Sequence, residues 1–126
     1  MPLRPKFLRD ARIVLIEGDG EISADDMATL LRFIDTQNAH RYRKLIDARR
    51  VTNAVSQIVA DGLLRLVRSR EALGAGGALA VVVGANASLR ALAERAAAGA
   101  PAHRSIRIFD DYEEARRWIE QSAAGD

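Results

Sequence analysis

The chain has 126 residues, enough for one domain with a continuous core. It is 48% hydrophobic and 29% charged, with no cysteine and a net charge of +2. That mix excludes a disulfide framework, a thiolate nucleophile and a cysteine metal site, and no apolar run approaches the ~20 residues that span a bilayer. The pI of about 9.5 overstates the basic field: nearly all the basic residues are arginine, so a small positive excess persists to high pH. The N-terminus has charge but no apolar h-region, which predicts no signal peptide and a cytoplasmic location.

Along the chain, residues 1–10 hold a short strand around Phe7 and Leu8, with fraying expected near 1–5 and 122–126. The β-branched "ARIVLIEG" (11–18) predicts a buried strand closed by the turn-rich "GDGE". Ser23 then reads as an N-cap with Asp26 as capping-box partner, and Met27, Leu30, Leu31 and Ile34 give one apolar helical stripe. "YRKLIDA" (42–48) is the next strand. A helix over 56–73 follows, with Val59, Leu63, Leu66 and Val67 on one face. "ALAVVVG" (78–84) is apolar throughout, as in the centre of a parallel sheet. A helix starts near Ser88, with Leu89, Leu92, Ala93 and Ala96 inward. "IRIF" (106–109) is the last strand, and "DDYEEARRWIEQ" the last helix, with Asp110 as N-cap and Glu113 as its partner. Tyr112, Ala115, Trp118 and Ile119 form its inward stripe. Strands alternating with helices predict an α/β domain.

The glycines of "GAGGALAVVVG" resemble a phosphate loop only in composition. A dinucleotide fingerprint runs from strand through glycines to helix, whereas Gly74, Gly76 and Gly77 follow a helix and precede a strand. No cofactor is predicted. His40 and His103 lie in polar connections without a second ligand at metal spacing, so no metal is predicted either. No GxSxG or legible triad supports a serine nucleophile. Arginine-bearing helix faces lack the interleaved aromatics of a nucleic-acid platform, and no nucleic acid or stable membrane insertion is expected. Asp47 stands apart from the other carboxylates. It ends an apolar strand at the edge where α/β sheets place ligands, and Arg49 or Arg50 can pair with it.

"YRKLIDARRVTNAVSQIVADGLLRLV" (42–67) resembles the strand, loop and helix at the heart of STAS-like domains. "IRIFDDYEEARRWI" (106–119) is similar to the closing strand and helix of their SpoIIAA-like branch. With "ARIVLIEGDGEISADDMATLL" (11–31) the resemblance covers nearly the whole chain. It implies a bacterial, single-domain mixed sheet of four to five strands with about four packed helices, in a family of mostly non-enzymatic members. Some act on a kinase-like partner and are switched by serine phosphorylation; the related CRAL-TRIO fold carries lipids. Here Ala54, Val55, Ser56, Gln57 and Ile58 occupy the place of the switch motif, without its preceding acid or following glycine. Ser56, within a position of the phospho-acceptor, otherwise reads as an N-cap.

The expected function is a non-enzymatic regulatory or binding domain for a protein partner or small anionic ligand. The alternatives are an apolar-ligand carrier or a phosphorylation-switched antagonist, and a homodimer is compatible with any of them. The expected binding rim comprises Asp47, Arg49, Arg50, Thr52, Asn53, Ser56, Asn86 and Ser88, with Arg49 and Arg50 in a loop. Helix N-termini capped near Ser56 and Ser88 would face it, where unpaired N–H groups attract anions.

Overall fold

The computed structural model describes residues 2–52, 61, 65, 77–99 and 106–122. Strands β1 (Leu3–Leu8), β2 (Ile13–Gly20), β3 (Arg43–Val51), β4 (Leu79–Val82) and β5 (Ile106–Phe109) form one sheet in the order β1-β2-β3-β4-β5. The β1–β2 pair is antiparallel and the other three pairs are parallel. Three helices are described: α1 (Ala24–Thr36), α2 (Ala87–Ala98) and α3 (Tyr112–Gln121). The helix expected over 56–73 lies outside the described residues except for Asp61 and Arg65, both helical.

Two apolar clusters sit on opposite faces of the sheet, because successive strand residues alternate between faces. On one, Val14 and Ile16 of β2 meet Leu30 and Ile34 of α1, with Leu3 and Tyr42 closing the ends. On the other, Leu45, Ala80, Val82 and Phe109 meet Ala115 and Ile119 of α3. Burying a residue such as Ile34 or Ile119, both 0% exposed, contributes roughly 1.5–3 kcal/mol. Trp118 departs from expectation: it is half-buried, lying beside the inward Ala115 and Ile119 with its ring 5.7 Å from that of Phe109. At this end of the chain Arg43 fixes α3. Its Nη1 donates to the carbonyls of Ile119, Glu120 and Ser122, which lie at the negative end of the helix dipole.

The β1 edge strand starts at Leu3, which is buried, so residues 3–5 of the stretch expected to fray are paired with β2. Asp19 N–H donates to Pro2 O at 2.8 Å, which turns the backbone groups of even-numbered β1 residues toward β2. Pro5 therefore faces the open edge, where its missing N–H costs nothing and blunts pairing with another chain.

The caps correct two local readings. Ser23 and Asp26 form the expected capping box. The α2 cap, however, is Asn86, whose Oδ1 accepts from Leu89 N–H at 3.2 Å; Ser88 lies inside the first turn. The α3 cap is Asp111, which accepts from Glu113 N–H at 3.0 Å. Asp110 is engaged instead by the Arg90 guanidinium reaching across from α2.

Candidate functional site: the carboxyl-terminal rim of the sheet

Beyond Asp47 the third strand does not become a loop. It runs to Val51 because β2 continues beside it to Gly20, and Thr52 N–H still donates to Gly20 O at 3.0 Å. Arg49 and Arg50 are thus strand residues, which corrects their expected loop placement. Glu17 pairs with Asp47 but Asp19 with Arg50, so β3 carries one extra residue between those pairs. This bulge breaks the period of two. Arg49 and Arg50 are consecutive and both exposed, flanked by buried Ala48 and Val51.

The two arginines reach different partners. Arg49 curls back on Asp47, with Nε 2.9 Å from Oδ1 and Nη2 2.7 Å from Oδ2, while its backbone N–H donates to Oδ1 at 3.2 Å. Its guanidinium carbon also lies 5.2 Å from the centre of the Tyr112 ring, at the start of α3. Side-chain hydrogen bonding from Arg49 holds the Asp47 carboxyl below the usual range, against the opposing effect of partial burial. The same hydrogen bond raises the Arg49 guanidinium further. Arg50, with a side chain 71% exposed, lies 3.5 Å from Glu17. Glu17 is shared with Arg4 at 2.7 Å, and Arg4 also reaches Asp19 at 3.7 Å.

Asn86 completes the rim. Besides capping α2, its Nδ2 donates to Val51 O at 3.4 Å and ties the helix start to the end of β3. The structure therefore brings together Asp47, Arg49, Arg50, Thr52 and Asn86, with Ser88 in the first turn of α2; Asn53 and Ser56 lie outside the described residues. Sequence reasoning missed Arg4, Glu17, Asp19 and the rim role of Tyr112. Only strand register brings the first three beside Arg50, and Tyr112 shares its helical spacing with the core residues. Among the described residues no three His, Asp or Glu side chains are placed to hold a metal ion. Nor, among them, is any helix long and apolar enough to cross a membrane.

The chain belongs to the SpoIIAA-like family, whose model matches residues 13–120. Its fold is similar to that of an uncharacterised protein with a SpoIIAA-like fold from Shewanella loihica PV-4. The two are 16% identical with a TM-score of 0.64, over 93% of this chain and 91% of that one. No curated protein matches the sequence.

Proposed function

We propose that the chain is a non-enzymatic binding or regulatory domain that engages a protein partner through the rim at the ends of β2, β3 and β4. The SpoIIAA-like fold supports a binding or regulatory role in general. The observation that carries the finer reading is the pairing of the rim's charges. Arg4, Arg49 and Arg50 each lie within ion-pair distance of Glu17, Asp19 or Asp47. A small anion arriving there meets as many carboxylates as guanidinium groups. A protein surface can match both signs at once, which is how charged interfaces set specificity and register.

Arg49 has the properties of an anchor. Fork and ring hold it in place while its side chain stays 47% exposed, so little rotamer freedom remains to be lost on binding. Asp47 makes a poor general base, because its carboxylate accepts three hydrogen bonds from Arg49 and is stabilised in the ionised form.

The test captures partners from native lysate on the immobilised protein and on a variant carrying Arg50→Glu and Thr52→Lys, both at exposed positions. Each partner identified by mass spectrometry is then purified and titrated by calorimetry. The rim reading expects binding that the variant loses while keeping its melting temperature; equal binding by both proteins overturns it. Phosphate and citrate at matched ionic strength are expected to leave the melting temperature unchanged. A rise abolished by Arg49→Ala with Arg50→Ala would put a small anion in the partner's place.

A further inference from the structure

At the opposite end of the sheet the arginines are not paired. The turn Arg9–Arg12 joins β1 to β2 and packs beside the connection from α1 to β3, where Arg43 N–H donates to Arg12 O at 3.0 Å. Arg9 is held by two hydrogen bonds of 2.8 Å to Gln37, one to its carbonyl and one to Oε1. Its guanidinium carbon lies 5.1 Å from the Phe7 ring centre and 5.9 Å from that of Tyr42. Arg12 lies 5.9 Å from the Tyr42 ring. Among the described residues neither has a carboxylate at ion-pair distance, not even the exposed Asp10 between them; Arg32, Arg41, Arg43, Arg107 and Arg117 share that lack, but only Arg9 and Arg12 combine it with contacts to the Phe7 and Tyr42 rings.

Two further observations fall on the same surface. Phe33, 42% exposed, is the one exposed large hydrophobic among the described residues, and it stands edge-on to Phe7 at 5.9 Å. Arg12 adopts φ +57, a left-handed conformation costing a non-glycine residue roughly 1–2 kcal/mol. Glycine or asparagine would close the turn with less strain, so the turn alone gives no reason for arginine here. Strain retained at an exposed, unpaired cation is a mark of a functional surface.

We propose that this end of the sheet, Arg9, Arg12 and Phe33, docks an acidic segment of a protein partner that carries an apolar anchor. Arg9 and Arg12 are steadied by cation–π contacts with donor capacity remaining, the arrangement that receives carboxylates in charge-assisted pairs. Phe33 and the edge of Phe7 receive the anchor. A single-stranded nucleic acid needs successive open rings, but guanidinium groups already cover Phe7 and Tyr42. A lipid surface needs a broader apolar face than one phenylalanine.

The probe is a fluorescein-labelled glutamate-rich peptide with one central phenylalanine, followed by fluorescence anisotropy. Its comparators are the same peptide with alanine at the centre, a single-stranded oligonucleotide, and phosphatidylserine vesicles. Arg9→Gln with Arg12→Gly is expected to weaken peptide binding by about tenfold or more. Arg107→Gln with Arg117→Gln removes the same charge elsewhere and is expected to leave binding unchanged. Phe33→Ser is expected to weaken the phenylalanine peptide to the level of the alanine peptide. Circular dichroism melts establish that each variant is folded. No binding by the wild-type chain, equal loss in both arginine pairs, or tighter binding of the oligonucleotide or vesicles overturns the proposal.

Discussion

Gly77 and Gly20 offer a controlled comparison of what a single methyl group costs. Both have left-handed backbones, with φ +77 and φ +81. A Cβ built on Gly20 meets nothing within 4 Å, whereas one on Gly77 falls 2.9 Å from both Arg41 O and Tyr42 O. Those carbonyls have little room to retreat. Tyr42 O accepts from the buried Lys44 Nζ at 2.8 Å, Tyr42 N–H donates to Ala39 O at 3.1 Å, and Lys44 N–H donates to Ala78 O at 2.9 Å. Alanine at either position pays about 1–2 kcal/mol for the backbone and recovers about 0.4–1 kcal/mol from the unfolded chain. Gly20→Ala should therefore cost at most about 1.6 kcal/mol, while overpacking adds about 1–3 kcal/mol at Gly77. Urea denaturation of the two variants reads the difference directly, with unchanged m-values expected. If Gly77→Ala lies within about 0.5 kcal/mol of Gly20→Ala, the clash argument fails and the 37–42 connection yields more easily than its hydrogen bonds imply.

Two other perturbations test the rim and the second apolar cluster. A carboxyl held below its unfolded value contributes stability that is fully present above about pH 4 and is lost as pH falls through the folded value. Asp47→Asn should thus lower the melting temperature at neutral pH and flatten its decline in acid; parallel curves for variant and wild type would show that the Arg49 fork adds nothing. Trp118→Ala should cost about 2–3 kcal/mol, below the range for a fully buried tryptophan, because the ring is only half-covered beside Phe109. Its native fluorescence should be partly quenched by iodide, and either full protection or full quenching would refute that placement.

The sequence was most informative where the determining interactions are local. Ser23 and Asp26 bond to each other within one turn, and the apolar stripe Leu30–Ile34 follows helical geometry alone. The capping errors came from close neighbours with similar chemistry. Asn86 and Ser88 both suit a cap, but only Asn86 also reaches Val51 O; Asp110 and Asp111 are adjacent, and Arg90 takes the first. Asp47 and its pairing with Arg49 were legible because the two residues are neighbours in sequence. The bulge on β3 was not, since it exists only in the register of β3 against β2. The contact between Tyr112 and Arg49 was hidden for the same reason: it joins elements whose packing no periodicity encodes.

The order of the strands has a consequence for how the chain acquires its structure. Each of the described strands pairs with the described strand next to it in sequence, so the sheet can grow from one edge as successive segments emerge from the ribosome. The contacts of Arg43 with the carboxyl end of α3 break that locality, closing across 76 to 79 residues. Loop-closure entropy places such contacts late on the folding pathway. Substitutions at Arg43 should therefore speed unfolding and leave the refolding rate nearly untouched, whereas substitutions between β2 and β3 should slow refolding. The last helix then acts as a latch: it sets how long the native state persists once formed rather than how quickly it is reached.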